Sequence, residues 1–433
     1  MMRKIHLASF FVIASFTAII WNHISSIAAA PGPVMVKVGL ATLDSEIILP
    51  IKGPEKLLDL SAPAPRNIPL PGDQVIVRGV DGVLFLNNIP VGAGPVALIP
   101  NTEPLTWNSR SYRGVFLITF AAGKLHLINQ LSLEDYLKGV VPKEMIPGWP
   151  TAALKAQAIA ARTYAIASLG RHGSSGFDLC ASEHCQVYGG LGVEQPGANA
   201  AVAETAGEVI SFKGKIASAF FHAASGGMTK DAGMVWDKAV PYLKPALDWD
   251  QNSPYAHWTR TFTWDEIQVK AGLAYPKLGR LAQIIPVNPV KEGEKPKVTL
   301  VGDFGELAIT FEDFRILAGL PSSNFELGVL YGPAPYITLW RALERKYPEA
   351  VMASQEIPGA ANRLNPPWDL PDPWSWLRDK DPVKLIIRGS GWGHGVGLSQ
   401  WGAKGMAEAG FNAYQIIAHY YPGTVVTKIE NLK

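Results

Sequence analysis

The stretch Thr151-Ala-Ala-Leu-Lys-Ala-Gln-Ala-Ile-Ala-Ala-Arg-Thr-Tyr-Ala-Ile-Ala-Ser-Leu169-Gly170 decides the fold. Alanine dominates it, no proline or internal glycine interrupts it, and it closes on Gly170, a residue suited to a left-handed helix end. It predicts a helix over Thr151–Leu169. Small side chains on most faces let neighbours approach closely, so this helix is expected to be buried and central. Just upstream, Pro147-Gly148-Trp149-Pro150 breaks the chain, and before that Ser132-Leu133-Glu134-Asp135-Tyr136-Leu137 predicts a short helix capped by Ser132, with Asp135 three residues on. From Val34 to about Leu131 the pattern is β: Val36–Leu40 alternates, and apolar segments recur at Gln74–Val77, Val83–Leu86 and Val115–Phe120 between Pro/Gly breaks.

Downstream, residues 176–250 read as short strands and turns with a helix near Pro196–Ala206. Lys291–Pro296 reads as a polar loop, and Thr299–Leu320 as a strand followed by a short helix. Residues 345–382, rich in Pro, Trp and Asp, look like a surface insertion. Lys384–Gly423 reads as a strand, a Gly-rich loop and a helix ending near Tyr420. There is no internal repeat. The expected class is α+β: a β-rich body of short antiparallel strands, a buried Ala-rich helix and a Gly-rich C-terminal loop at the cleft. The expected organisation is a leader at 1–30, a β-rich part at 31–130, a core at 131–330 interrupted by the 331–382 insertion, and its C-terminal part at 383–433.

Composition supports a folded chain of more than one core: 433 residues, 48% hydrophobic. The 42 glycines and 34 prolines exceed the roughly 12% of average usage and point to many turns. A net charge of +2, with no basic cluster interleaved with aromatics, gives no case for nucleic acid. Arg3 and Lys4, the apolar run Ile5–Trp21 and the small residues Ser26–Ala30 read as an export signal, cleaved after Ala28 or retained as an anchor. The expected location is outside the cytoplasm, in the cell wall or periplasm.

Four segments are candidates for chemistry. Gly139-Val140-Val141-Pro142-Lys143-Glu144-Met145 sets a glutamate after an apolar run, where partial burial would tune it as a general acid; on local sequence an ordinary solvated glutamate is the stronger reading. Cys180-Ala-Ser-Glu-His184-Cys185-Gln186-Val-Tyr188 clusters two thiols and an imidazole. Cys180, His184 and Cys185 could ligate zinc with His172 or water as the fourth ligand, or the two cysteines could form a disulfide. Phe221-His222-Ala-Ala-Ser225-Gly226-Gly227 offers a turn whose amides and hydroxyl suit a sugar or carboxylate, without the elbow that a nucleophilic serine needs. Gly389-Ser-Gly391-Trp392-Gly393-His394-Gly395-Val-Gly397-Leu-Ser399-Gln400-Trp401-Gly402 matches no phosphate loop, but its alternating glycines allow close backbone approach and its tryptophans offer flat faces for sugars.

Together and in this order, these segments resemble the sporulation stage II protein D / LytB family. The likeness is carried by Leu133–Leu137 with Val140–Met145, Ala153–Ala158 with Ala161–Ala165, Cys185–Tyr188, Ser225–Gly227, Gly391–Ala403 and His419–Gly423. The resemblance implies a peptidoglycan lytic transglycosylase that cuts the MurNAc–GlcNAc bond, leaves 1,6-anhydro-MurNAc ends and uses Glu144 as its acid. Glycan strands, often stripped of stem peptides, are the implied partner. Gln186, Tyr188, Ser225, Gly226, His394, Ser399 and Gln400 are expected to contact substrate, with Ser225, His394 and Gln400 near Glu144. No cofactor is required for the chemistry, although some relatives carry zinc on a His/Cys cluster. The alternative is a LytB-type amidase enhancer or wall-binding protein that works beside a wall amidase without cutting.

Overall fold

The computed structural model describes residues 32–432 apart from 52–55, 62–63, 70–71, 93, 103, 237, 288–293 and 332–381. The leader and nearly all of the Pro/Trp-rich insertion lie outside the described residues. The class is α+β, with short and mostly antiparallel strands. The chain divides into two compact units, one built from residues 1–220 and 406–433, the other from residues 221–405. This division falls inside the stretch expected as one core at 131–330.

The first unit rests on a seven-stranded sheet whose centre is Met35–Leu43 beside Lys124–Ser132 beside Val115–Ala121. Alternation does the work expected of it: Val36 and Val38 point inward and are fully buried, as are Phe116, Ile118, Leu127 and Ile128 on the neighbouring strands. The segments read as strands at 74–77, 83–86 and 115–120 are strands. At one edge the two-residue strand Leu179–Cys180 pairs in parallel with Val38 and Gly39. Phe177 stacks where a side chain on Gly39 would sit, within 2.8 Å of its ring. The edge is thus held in register by a missing side chain.

Three helices pack on one another beside this sheet, the first of them against its strands Met35–Leu43 and Lys124–Ser132. Helix α1 is Leu133–Glu144, capped by Ser132, whose hydroxyl accepts from the Asp135 amide at 3.1 Å and donates to the Asp135 carboxylate at 2.8 Å. Helix α2 is Thr151–Ala167, buried along most of its length, and the chain leaves it through Gly170 at φ 75°. Helix α3, Pro196–Glu204, lies where a helix near 196–206 was expected, and Ala413–Tyr420 ends at the expected residue. The alanines at 153, 156, 158, 160, 161 and 165 are completely buried, which is why α2 can be surrounded.

One charged contact joins these helices. Arg162 of α2 is fully buried and forks onto Glu134 of α1, Nε to Oε1 at 2.9 Å and Nη2 to Oε2 at 2.7 Å. Its remaining donors reach the carbonyls of Val202 (3.1 Å) and Glu208 (3.2 Å), and the Gly207 amide donates to Glu134 Oε1 at 3.2 Å. A buried arginine is tolerated only when its donors are met in this way; breaking such a pair from one side costs about 3–5 kcal/mol. The pair fixes how α1 and α3 sit on α2.

The second unit has a core of Ile267, Val298, Leu300, Phe314, Leu385 and Ile387, all fully buried. It lies between the sheet Trp258–Thr263, Pro382–Gly389, Phe325–Tyr331 and the sheet Leu281–Val287, Lys297–Gly302, Gly305–Thr310. The strand-then-helix reading of 299–320 is met by Gly305–Thr310 and Phe311–Ala318, the latter started by a Thr310/Asp313 capping box. Among the described residues no helix is long and apolar enough to cross a membrane.

Candidate functional site

Glu144 is the last residue of α1. Pro142 in the final turn and the extended Met145 end the helix there, and Glu144 is half-buried. The Val187 amide donates to its Oε1 at 3.1 Å. That contact comes from Cys185-Gln186-Val187-Tyr188, and each of the four residues is anchored differently. Gln186 is 1% exposed; its Nε2 donates to the Ala161 carbonyl at 3.2 Å, and its Oε1 accepts from Tyr136 at 3.1 Å. Tyr188 is buried as well, donating to Asn129 Oδ1 at 2.9 Å and sitting over Gly139, where any side chain would meet its ring at 2.5 Å. Gln186 and Tyr188, expected as substrate contacts, therefore turn inward and hold the segment against α1, α2 and the sheet.

Cys185 points to a different neighbourhood. The ligand atoms of His172, Cys180, His184 and Cys185 all lie within 4.8 Å of one another. His184 Nδ1 is 3.6 Å from each sulfur, and His172 Nε2 is 3.3 Å from Cys185 Sγ. Nitrogen and sulfur donors about 3.5 Å apart are what a tetrahedral ion with Zn–S near 2.3 Å and Zn–N near 2.0 Å requires. Both cysteines are free thiols. Burial opposes ionisation of Cys180, but hydrogen bonds from Ser182, His184 and Cys185 outweigh it and lower its pKa. Burial raises that of Cys185. Burial, with His184 and Arg171 adding to it, lowers that of His172 and favours the neutral imidazole that ligates metals. His172, offered by the sequence as one of two fourth ligands, is the residue the fold brings to the cluster.

The second unit holds the other candidates. Ser225 is 3% exposed and donates to Asp248 Oδ2 at 2.5 Å. The Gly226 and Gly227 amides donate to the Asp250 carboxylate at 2.7 and 3.0 Å. The turn does bind a carboxylate, and it is the chain's own. Asp248-Trp249-Asp250, which meets this turn, was not singled out from the sequence. It lies more than twenty residues away, and only the tertiary fold brings it in. Burial, then repulsion from Asp248, raises the Asp250 pKa against those two amides.

The glycines of the C-terminal loop are required: Gly391, Gly393, Gly395 and Gly397 all have positive φ. A side chain on Gly391 would meet the Ser225 backbone at 2.7 Å, and one on Gly393 the Cβ of His222 at 2.9 Å. The loop thereby packs His394 against His222, ring centroids 5.5 Å apart. His394 Nδ1 accepts from the Val396 amide at 3.0 Å. Burial, reinforced by His222, pushes the His394 pKa well down, so it is neutral. Ser399 is fully buried and accepts from the Gly402 amide at 3.1 Å, and Gln400 is buried at the start of the helix Gln400–Glu408. Glu144 belongs to the first unit, and Ser225, His394 and Gln400 to the second.

Residues 121–212 match the SpoIID family, described as Stage II sporulation protein. The chain is 28% identical over 405 residues to an uncharacterised protein of Brachyspira hyodysenteriae, covering 92% of this chain and 94% of that one. It is 29% identical over 305 residues to the amidase enhancer of Bacillus subtilis, covering 67% of this chain but 40% of the enhancer. It is 28% identical over 325 residues to the stage II sporulation protein D of Bacillus amyloliquefaciens, covering 71% of this chain and 77% of that one. By these matches the chain is similar to SpoIID and LytB-type proteins, through the family match at residues 121–212 and through relatives aligned over most of its length.

Lys230, beside the glycine loop, gives a pH test of the second unit. Its amide donates to Gly395 O at 2.7 Å and its Nζ to Ser323 at 2.8 Å. Burial, with Arg315 adding to it and Glu312 opposing, lowers its pKa from 10.5 to about 8. The unfolded chain then binds the proton more tightly, so the cost of burying the cation is full below pH 8 and is relieved as pH rises toward 10.5. Urea unfolding of wild type and Lys230→Met at pH 7.5 and 10 is expected to show wild type gaining stability relative to the variant at the higher pH. An unchanged difference would contradict it.

Proposed function

We propose that this chain is an exported peptidoglycan lytic transglycosylase with Glu144 as its acid and base. The observation that carries the reading is the placement of Glu144, a carboxyl at a helix end with one oxygen held by a backbone amide, within the region that matches the SpoIID family. A hydrolase that cleaves glycans normally needs two carboxylates, one to protonate the leaving oxygen and one to act as nucleophile or base. A transglycosylase needs one. Glu144 gives its proton to the glycosidic oxygen as the C1–O bond breaks. The C6 hydroxyl of the same MurNAc attacks C1, and its proton returns to Glu144. The products are a free 4-hydroxyl and a 1,6-anhydro ring; no water is consumed.

In this reading His172, Cys180, His184 and Cys185 hold a zinc ion. Four protein ligands leave no open position, so zinc would supply structural cross-linking rather than an activated water. Its effect on the chemistry runs through the chain: the cluster fixes Cys185, two residues before the amide that orients Glu144. Metal analysis of protein purified without chelator is expected to find about one zinc per chain, lost in Cys180→Ser together with a lower melting temperature. Protein without zinc and with Cys180 and Cys185 quantitatively oxidised would refute this assignment.

A second reading is favoured by one relative, the amidase enhancer of Bacillus subtilis: the chain would bind wall glycan beside an amidase without cutting it. Digestion of purified sacculi, with and without stem peptides, followed by mass spectrometry separates the two. Wild type is expected to release 1,6-anhydro-MurNAc ends and Glu144→Gln none. If wild type releases none on either substrate, the enhancer reading replaces the enzyme.

A further inference from the structure

At the C-terminal end of α2, within the first unit, lies a cavity of about 390 Å³ that none of the roles above uses. Its size falls in the range of small-ligand sites. Two aromatic rings form a corner in it: Tyr164 and Phe220 meet edge to face, centroids 6.0 Å apart at 67°. Ser168 and Ser218 add hydroxyls, and Gly170 opens the mouth, since a side chain there would meet nothing within 4 Å. The one charged residue of the lining is Arg171. It is exposed and donates through Nη1 to the Tyr164 hydroxyl at 2.9 Å, which aims the guanidinium along the cavity. No carboxylate lines the cavity, and Arg171 makes no salt bridge among the described residues.

Aromatic faces with a few hydroxyls suit the C–H faces and hydroxyl edges of a pyranose. A guanidinium at the rim, with donors to spare, suits a carboxylate on that ring. Arg171 is also next in sequence to His172. Tyr164 lies within electrostatic range of Cys185 and Cys180, and Tyr136 within range of Glu144, Cys185 and Tyr164. The cavity therefore lies beside the His/Cys cluster, through Arg171 and Tyr164.

We infer that this cavity is a sugar subsite and that Arg171 reads a carboxylate on the ring it holds. The inference rests on the glycan-cleaving reading and names the residue that selects within the strand. Of the two alternating wall sugars, only the muramic residue carries a carboxylate, on its lactyl ether; N-acetylglucosamine has none. Arg171 would thus set the register of the strand, with a muramic residue in this cavity.

The test measures binding without turnover, using full-length Glu144→Gln protein and calorimetry. The probes are a GlcNAc–MurNAc disaccharide, the methyl ester of its lactyl carboxylate, and chitobiose. The acid is expected to bind about tenfold more tightly than the ester or chitobiose, the order of gain for one partly solvated charge pair. Adding Arg171→Gln should erase the difference, Arg171→Lys should keep part of it, and Phe220→Ala should weaken all three alike. Equal binding of acid and ester, or a preference that survives Arg171→Gln in protein with unchanged circular dichroism, overturns the inference. Either result is independent of the sacculus digestion. If wild type cuts sacculi but Arg171 does not discriminate, only the subsite falls; if it cuts none, the enzyme reading falls whatever the calorimetry shows.

Discussion

The buried fork between Arg162 and Glu134 is the contact on which the first unit depends. An alanine-rich helix packs closely but holds its neighbours with little specificity, because small side chains interlock poorly. Arg162 supplies what the alanines cannot. Its donors are shared between the carboxylate on α1 and backbone carbonyls at the end of α3 and the start of the strand Glu208–Phe212, so they are all satisfied only in one arrangement. Since α1 is a rigid rod from Glu134 to Glu144, fixing its beginning fixes the position of the carboxyl at its end.

Much of this architecture was legible in the residues. The alanine content and Gly170 mark α2, Ser132 and Asp135 mark the start of α1, and alternation marks the sheet. These are local signals, and local physics settles them. Contacts between distant residues were not legible in the same way. Gln186 and Tyr188 were expected as substrate contacts from the family resemblance of the segment Cys185–Tyr188. In the fold they are needed inside, where Gln186 ties α1 to α2 and Tyr188 fills the space that Gly139 leaves. Ser225-Gly226-Gly227 read as a turn suited to a sugar or carboxylate, and in the fold its amides bind a carboxylate of the chain itself. The anion is Asp250, whose arrival depends on the path of the intervening chain. His172 could be singled out only as one of two options, because seven intervening residues separate it from Cys180.

The segment Cys185–Tyr188 links what the sequence presents as separate motifs. Four consecutive residues contribute a thiol of the His/Cys cluster, a buried amide that bridges two helices, a backbone donor to Glu144 and a ring locked into the sheet. One short piece of backbone thus serves both neighbourhoods. This explains how a closed His/Cys cluster could matter to a carboxyl it does not touch.

In the proposed transglycosylase the Arg162–Glu134 fork positions Glu144 for reaction. Arg162→Lys tests it most directly, because it keeps the charge and most of the volume but removes the fork. Single-turnover digestion of sacculi should show release of 1,6-anhydro-MurNAc ends falling by about a hundredfold, the scale of a misplacement of roughly 1 Å, while circular dichroism stays that of wild type. Wild-type rates in a folded Arg162→Lys protein would contradict the account.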